Sequence, residues 1–310
     1  MDIENKKATR QSYGEALVEA GRSNENIVVL DADLSTATKS NIFKKEFPER
    51  FFDMGISEQD MMGTAAGMAS CGKIPFASTF AVFAAGRSYD QIRNSICYPK
   101  VNVKICGSHS GVTVGEDGAT HQMLEDISIM KTLPNMTVLS VSDDVQTKWA
   151  VREATKIVGP VYIRTCRAKT PIIYDEGQEF EIGKAVQIGD GVDATIFATG
   201  ITVSEAISAK EELEKQGINI RVVDIHTIKP IDSNMIVKCA KETKKLISIE
   251  DHNVIGGLGS SIADVLTEEY PQKLIKMGIN DRFGESGTSS ELMKKFELTA
   301  DDIVRKIIGD

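Results

Sequence analysis

The segment VNVKICGSHSGVTVGEDGATHQMLEDISIMKTLPNMTVLSVSDD, residues 101–144, decides the fold of this chain. Apolar runs predict strands at Val101–Gly107 and Met136–Val141, and helical stretches are predicted at His121–Lys131 and Asp143–Lys156. Strands rich in Val and Ile that alternate with helices indicate βα units, in which a parallel sheet is covered on both faces. The segment therefore predicts an α/β fold.

The same alternation extends over the rest of the chain. Further strands are predicted at Ile27–Leu30, Val161–Arg164, Ala194–Ala198, Ile218–Asp224, Lys245–Glu250 and Leu274–Met277. Further helices are predicted at Arg10–Gly21, Glu58–Ser70, Arg87–Ile96, Val203–Gln216, Asp232–Lys241 and Gly259–Tyr270, with two short ones within Ser289–Ile308. Turn residues interrupt the pattern near residues 169–191. We predict two doubly wound, mainly parallel-sheet domains, residues 1–170 and 191–310, joined by a linker at 171–190.

Composition narrows the classes of function. The 310 residues carry 36 Lys and Arg against 45 Asp and Glu, a net charge of −9, which argues against a nucleic-acid partner. The five cysteines include no CxxC pair, which fits a reducing compartment. The start has no apolar signal core, and no apolar run approaches the ~20 residues that span a bilayer. We expect a cytoplasmic protein without a membrane segment.

Two of the four histidines lie in one glycine-rich loop after the strand Val101–Gly107. This loop holds His109, Asp117 and His121, and ligands of open parallel sheets bind beyond the carboxyl ends of the strands. The loop is therefore a candidate active site. Two alternatives are a solvated polar loop and a divalent-metal site, although no HxH or HxxxH spacing favours metal ligation.

A second candidate is Glu58, at the start of a helix with a small, apolar body. Small residues let another backbone approach closely, so this carboxylate is predicted to lie in an interface. The alternative is a first-turn glutamate that favours the helix dipole, behind a capping Ser57. Phe80 and Phe83 follow a predicted strand, and on their own they are more typical of core than of a cofactor pocket.

These motifs resemble those of the transketolase family over almost the entire chain. The matching segments are ATR at 8–10, GISEQ at 55–59, STFAVF at 78–83, SHSGVTVGEDGATHQ at 108–122, the Arg of RTCR at 167, INIRVVDIHTIKP at 218–230, IEDH at 249–252 and DRFGESG at 281–287. The GEDGATHQ stretch is specific, whereas GISEQ is shared with other thiamine-diphosphate enzymes. The resemblance implies the family's pyrimidine-binding domain followed by its C-terminal domain.

The resemblance also implies a cofactor site for thiamine diphosphate. Glu58 matches the catalytic glutamate that hydrogen-bonds N1′ of the aminopyrimidine, a role that needs a desolvated carboxyl able to exchange a proton. Phe80 and Phe83 match aromatic residues that line the aminopyrimidine pocket. The segment between Phe83 and Arg93 is one residue longer than in the family, so no residue is assigned to the family's third pocket aromatic.

A sugar site is implied in the same way. His109, Asp117 and His121 match residues that hold the sugar hydroxyls, and the two histidines match residues that assist proton transfer. Arg10 and Arg167 match arginines that bind the terminal phosphate, a task suited to a planar, permanently charged group.

One departure concerns the terminal phosphate. Ala37 stands where the family usually has a serine in the phosphate site. The alternative of a sugar that ends in another anionic group, such as a sulfonate, therefore stays open.

The cofactor's diphosphate anchor is missing from the sequence. In the family, a GDG motif after a strand and a later Asn hold the diphosphate through Mg²⁺. Gly189-Asp190-Gly191 and Asn219 imitate that spacing, but this tripeptide precedes the strand Ala194–Ala198 and is interpreted as a turn into it. No metal ligand is therefore assigned to this chain. The resemblance implies an N-terminal partner subunit that carries the GDG motif and Mg²⁺, in an α2β2 hetero-tetramer.

The function implied is that of a transferase, a transketolase active only with its partner. It moves a two-carbon ketol unit reversibly from a ketose, expected to be phosphorylated, to an aldose. Alternatives are half of a 1-deoxyxylulose-5-phosphate synthase-like enzyme, the beta subunit of a 2-oxo-acid dehydrogenase's decarboxylating component, and a degenerate subunit kept for assembly.

Overall fold

The computed structural model describes residues 2–309, with side chains from residue 5 onward. Its strands are β1 Asp2–Ala8, β2 Ile27–Asp31, β3 Phe51–Asp53, β4 Ile74–Phe80, β5 Lys104–Ser108, β6 Thr137–Ser140, β7 Val161–Arg164, β8 Lys169–Ile172, β9 Val186–Ile188, β10 Ala194–Ala198, β11 Ile220–Asp224, β12 Thr227–Lys229, β13 Lys245–Asn253 and β14 Leu274–Ile279. Its helices are α1 Thr9–Ser23, α2 Ser35–Thr38, α3 Asn41–Glu46, α4 Glu58–Ser70, α5 Tyr89–Gln91, α6 Asp126–Lys131, α7 Asp144–Lys156, α8 Thr202–Lys215, α9 Ser233–Glu242, α10 Leu258–Glu269, α11 Ser289–Lys295 and α12 Ala300–Ile308.

Two mainly parallel sheets organise the chain. The first has seven strands in the order β12-β6-β7-β5-β4-β2-β3, and the second has five in the order β14-β13-β10-β11-β9. Pairing is parallel throughout except for β12 on β6 and β9 on β11. The predicted α/β fold with two mainly parallel sheets is therefore confirmed.

Helices cover both faces of the first sheet because its strands are apolar on both sides. In β5, Ile105 packs on the face that α4 covers, and Cys106 packs on the face that α1 and α7 cover. Both side chains are buried, as expected for parallel strands between two helical layers. Asp143 confirms the predicted start of α7, because its carboxylate accepts a hydrogen bond from the Gln146 backbone N–H at 2.8 Å.

One strand from the second half of the chain joins the first sheet. Thr227 of β12 pairs antiparallel with Leu139 of β6, although β12 directly follows β11 of the second sheet. The core on that face is shared as well, since Phe197 and Ile262 pack in the same cluster as Ile105. The two sheets are therefore joined by main-chain hydrogen bonds and by a common core.

Three local predictions differ from the structure. The predicted helix Arg87–Ile96 is a short α5 flanked by π-helical turns at Val82–Arg87 and Ile92–Cys97. The predicted helix His121–Lys131 begins only at Asp126, so His121 lies in a turn. The strand β1, which pairs antiparallel with β8, was not predicted. A π-helical turn has a wider hydrogen-bond spacing than an α-helix, so the periodicity of the sequence does not indicate it.

Within residues 2–309, every helix is either too short or too polar to cross a lipid bilayer.

Candidate active site

The site forms at the carboxyl edge of the first sheet, where β4 and β5 end side by side. Phe80, the last residue of β4, pairs with Ser108 of β5, and the next residue is His109. His109 has a left-handed backbone with φ of 57°, which is uncommon for a residue other than glycine. In this conformation the His109 ring stacks on the Phe80 ring, with their centroids 3.8 Å apart.

Two further rings complete an aromatic cluster. Phe83 lies nearly parallel to Phe80 at 5.9 Å, and the His121 ring meets Phe83 edge-on at 5.5 Å. Phe80 is buried, whereas Phe83 and His121 are half-buried and accessible. The structure thus brings together the four rings that the sequence placed in two separate motifs.

Glu58 begins α4, and its side chain is only 2% exposed. Glu58 lies in the first turn of α4, but Ser57 makes no side-chain capping hydrogen bond, and the Glu58 carboxylate is bound by Arg87. Arg87 Nη1 donates to both Glu58 oxygens at 2.8 Å, and its guanidinium lies 4.4 Å from the Phe83 ring centroid. Contacts therefore run without a break from Glu58 through Arg87 and Phe83 to the histidine rings.

His109 is held as a neutral imidazole with a defined tautomer. Burial, followed by the charges of Arg10, Arg167, His121 and Lys39, lowers the pKa of His109 to about 3. Arg10 Nη1 lies 3.1 Å from His109 Nε2, and an arginine can only donate, so Nε2 accepts. The ring proton is then on Nδ1, where it points to the Ser108 hydroxyl at 2.8 Å.

The two predicted anion-binding arginines both act on His109 through their charges. Arg10 is in the first turn of α1, and besides His109 it donates to the Ala37 carbonyl at 2.9 Å. Arg167 follows β7, and its Nη1 donates to the Val114 carbonyl at 2.5 Å and to Glu116 at 2.8 Å. The charge of Arg167 acts on Arg10, where burial and this repulsion lower the pKa of the guanidinium. Two like charges held together in this way favour an anion between them.

Asp117 is exposed in the loop beside these arginines. Its charge opposes the lowering of the Arg10 pKa, which places it near that group. Among the described residues, the Asp117 side chain makes no hydrogen bond or ion pair with His109 or His121, and its predicted role at the sugar hydroxyls stays a prediction.

The loop that carries His109 is fixed from the second sheet. The Asp251 carboxylate, at the end of β13, accepts from the Val112 backbone N–H at 2.8 Å and from the Thr113 hydroxyl at 2.8 Å. Gly111 is needed for this approach, because a Cβ there would lie 2.1 Å from an Asp251 oxygen. Arg164 adds a link by donating to the Asp251 carbonyl at 2.8 Å. The site is therefore built by both halves of the chain.

Sequence reasoning did not identify Arg87 or Asp251 as site residues. Asp251 lies in the IEDH segment that carried part of the family resemblance, which was a usable signal. Arg87 lies in the segment with the extra residue, and only its π-helical turn directs the guanidinium at Glu58.

The metal hypothesis has no support from the geometry. In the described part of the chain, no three His, Cys, Asp or Glu side chains converge in a way that could hold a metal ion. Gly189-Asp190-Gly191 forms the turn between β9 and β10, as interpreted from the sequence. Because β9 runs antiparallel to β11, this turn lies at the amino edge of the second sheet, opposite the carboxyl edge where ligands bind.

Comparison with known proteins agrees with this geometry. Residues 5–172 match the family model "Transketolase, pyrimidine binding domain", and residues 183–303 match "Transketolase, C-terminal domain". A putative transketolase C-terminal section from Methanocaldococcus jannaschii is 50% identical over 98% of this chain and 96% of its own length. A 6-deoxy-6-sulfo-D-fructose transketolase subunit from a Clostridium species is 43% identical over 96% of this chain and 92% of its own length.

Longer relatives and solved structures extend the comparison. Human transketolase is 39% identical over 99% of this chain, which spans only 49% of that protein. A solved structure described as a split gene transketolase in an inactive beta4 tetramer superposes with a TM-score of 0.91 at 52% identity, over 97% of each chain. Both domain models and these identities give one result: the chain belongs to the transketolase family.

Proposed function

We propose that this chain is the C-terminal subunit of a two-subunit, thiamine-diphosphate-dependent transketolase. It would transfer a two-carbon ketol unit reversibly from a ketose to an aldose, and only together with an N-terminal subunit. The observation that carries the proposal is the continuous set of contacts from buried Glu58, through the aromatic cluster, to Arg10. At one end of this set of contacts, Glu58 offers an acidic group to the cofactor, and at the other end, Arg10 offers a cationic group to the sugar.

The residues present fit the pyrimidine end of thiamine diphosphate. Phe83 offers a partly accessible ring face for stacking, and Glu58 offers a carboxylate shielded from water beside it. The bound cofactor supplies the electron sink that makes cleavage of the sugar's carbon–carbon bond possible. Glu58 would hold a proton at N1′ of the pyrimidine. His109, as a neutral imidazole, and His121 would hold and move protons at the sugar hydroxyls.

The diphosphate end needs a second chain. Mg²⁺ requires oxygen ligands, and among the described residues no three Asp, Glu, His or Cys side chains converge. The chain also spans about half the length of human transketolase. We therefore assign the diphosphate and Mg²⁺ ligands to an N-terminal subunit.

Helix α4 has a surface suited to this partner. Gly63 and Gly67 are exposed one turn apart, and among the described residues nothing lies within 4 Å of a Cβ added at either position. Ile56, just before α4, is 77% exposed. An apolar side chain beside two glycines allows another backbone to approach closely. This supports an interface next to Glu58, in an α2β2 assembly with two equivalent sites.

The terminal group of the sugar is the least constrained part of the proposal. Arg10 and Arg167 suit a phosphate ester, and we propose a phosphorylated ketose as donor. One relative is named for a sulfonated sugar, so a sulfonate-ended donor is the second candidate.

Reconstitution tests the proposed function. The chain is mixed with a GDG-bearing N-terminal transketolase subunit, thiamine diphosphate and Mg²⁺, and ketol transfer is measured. We expect activity from the pair and none from either subunit alone. Glu58→Gln should abolish at least about 99% of turnover, whereas the matched control Glu25→Gln, at an exposed position, should retain it. Full activity of this chain alone, or of Glu58→Gln, would reject the proposal.

A further inference from the structure

Lys39 is a third basic residue beside the predicted anion-binding arginines. It directly follows α2 and has a left-handed backbone, with φ of 71° and ψ of 8°. This conformation is costly for a residue other than glycine unless the surroundings hold it. Its presence next to a candidate site therefore calls for a structural reason.

Asp31 holds the loop that carries Lys39. Its buried carboxylate, at the carboxyl end of β2, accepts hydrogen bonds from the Thr38 hydroxyl at 2.7 Å and the Ser40 hydroxyl at 2.8 Å. It also accepts from the Leu34 backbone N–H at 2.6 Å. Because the residues on both sides of Lys39 are tied to one buried group, the backbone of Lys39 is fixed even though its side chain is not.

Helix α1 brings this loop next to Arg10. Gly14, one turn after Arg10 on the same face of α1, lies against the Lys39 backbone. A Cβ added at Gly14 would lie 2.4 Å from the Lys39 carbonyl oxygen and 2.9 Å from the Lys39 Cβ. Only glycine permits this approach, which sets the Lys39 backbone one helical turn from Arg10, and the charge of Lys39 acts on the same His109 ring that Arg10 contacts.

The Lys39 ammonium is available for a ligand. It is half-buried, and among the described side chains no carboxylate lies within 4.0 Å of it or of the Arg10 guanidinium. Arg10 Nε is also buried without a hydrogen-bond partner there. Arg167, in contrast, shares its charge with Glu116. Two unpaired cations beside a buried, unpartnered donor are a cost unless an anion joins them.

At Ala37, the loop beside Arg10 has no side-chain hydrogen-bond donor. The Ala37 methyl group cannot donate a hydrogen bond, and the Ala37 carbonyl already accepts one from Arg10. Lys39, two residues further along the same loop, provides a donor and a charge instead. A flexible ammonium suits this task because it reaches a phosphate as a point charge.

We propose that Lys39 binds the terminal anionic group of the sugar together with Arg10 and Arg167, and that it makes the site prefer a dianionic phosphate over a monoanionic sulfonate. The attraction of an added cation grows in proportion to the charge of the ligand. A phosphate ester carries about −1.5 to −2 at neutral pH, whereas a sulfonate carries a single negative charge. This inference rests on the proposed transketolase function and names the substrate class of that site.

The test compares three ketose donors with one uncharged acceptor, glycolaldehyde, in the reconstituted enzyme. The donors are fructose 6-phosphate, 6-deoxy-6-sulfo-D-fructose and uncharged erythrulose. Lys39→Met should lower kcat/KM for the phosphorylated donor by about 10- to 100-fold, the range for loss of a hydrogen bond to a charged group. We expect a smaller loss for the sulfonated donor and a change within about twofold for erythrulose.

Two further variants separate charge from structure. Lys39→Arg keeps the charge and should recover most of the loss on the phosphorylated donor. The matched control Lys45→Met, at an exposed lysine of α3, should behave as wild type on all three donors. The melting temperatures of all variants check that they fold. Lys39→Met should not change the melting temperature, because the Lys39 ammonium has no partner among the described side chains.

The outcomes distinguish this inference from the function it rests on. Equal loss on all three donors, or unchanged kcat/KM for the phosphorylated one in an otherwise active enzyme, would overturn the role of Lys39 alone. A sulfonated donor that suffers the larger loss would overturn the preference for phosphate. A wild-type pair that is inactive on every donor, erythrulose included, would overturn the proposed function and this inference with it.

Discussion

If Glu58 binds the cofactor as proposed, Arg87 competes for the same carboxylate, and replacement of Arg87 by methionine tests that reasoning. Arg87 Nη1 contacts both carboxylate oxygens at 2.8 Å, and Glu58 is 2% exposed, so a pyrimidine nitrogen reaches this carboxylate only if the guanidinium moves. Binding of the cofactor therefore gives up the ion pair. Arg87→Met removes the competitor, and we expect tighter cofactor binding.

The magnitude follows from the exposure of the pair. A hydrogen bond to a buried charged group contributes about 1.5–3 kcal/mol, and an exposed ion pair about 0–1 kcal/mol. Arg87 is 46% exposed and Glu58 is buried, so the pair lies between these limits, at about 1–1.5 kcal/mol. Loss of this competing interaction should lower the Kd of thiamine diphosphate by about 5- to 10-fold.

Isothermal titration calorimetry of the reconstituted two-subunit enzyme with thiamine diphosphate and Mg²⁺ measures this change. Arg93→Met is the matched control, because Arg93 lies in the same segment and, among the described residues, its side chain hydrogen-bonds only the neighbouring Asn94. In the isolated chain, Arg87→Met should destabilise the wild type by about 1–1.5 kcal/mol in denaturant unfolding, and much less in a Glu58→Gln background. Weaker or unchanged cofactor binding in Arg87→Met would refute the reasoning.

Three other perturbations have defined outcomes. Asp251→Ala removes the carboxylate that accepts hydrogen bonds from Val112 and Thr113. It should destabilise the isolated chain by about 3–5 kcal/mol in urea unfolding. An effect below about 1 kcal/mol would contradict the role of this carboxylate in fixing the loop. Gly67→Leu should prevent association with the N-terminal subunit, measured by sedimentation, while the melting temperature of the isolated chain changes little because the site is open; normal assembly would contradict an interface at α4. Because the pKa of His109 in the folded chain, about 3, lies below the unfolded value of about 6.5, its protonation favours unfolding. The free energy of unfolding should therefore not depend on His109 above pH ~6.5, and it should fall between pH ~6.5 and 3. In urea unfolding at pH 4, His109→Gln should reduce this loss by about 3 kcal/mol. Equal acid sensitivity of the variant and the wild type would contradict a buried, neutral His109.

Much of the fold could be predicted because the strands and helices have strong local patterns. The bounds of α4 agree with the prediction at both ends, and the strand that becomes β10 was predicted at the same residues. The predicted boundaries at 170 and 191 stay a prediction. They also describe the structure incompletely, because β12 lies in the second half of the sequence but in the first sheet.

Part of the arrangement at the candidate site could be predicted, but the contributions of Arg87 and Asp251 could not. Gathering of Phe80, Phe83, His109 and His121 follows from their positions after neighbouring parallel strands, which end at one edge. The orientation of the Glu58 carboxylate could not be predicted, because a glutamate in the first turn of a helix can face either the helix terminus or an interface. Arg87 decides between them only through a π-helical turn that no periodic pattern indicates.

By itself the sequence determined the order of strands and helices, the two α/β units and the residue types at the carboxyl edge. These depend on local periodicity and on motifs contiguous along the chain. Only the tertiary structure decided that Asp251 supports the His109 loop, that the Lys39 backbone lies one helical turn from Arg10, and that β12 pairs with β6. Each of these contacts joins residues distant in sequence, and its geometry depends on how whole layers pack. The local pattern of a single sequence does not predict that packing.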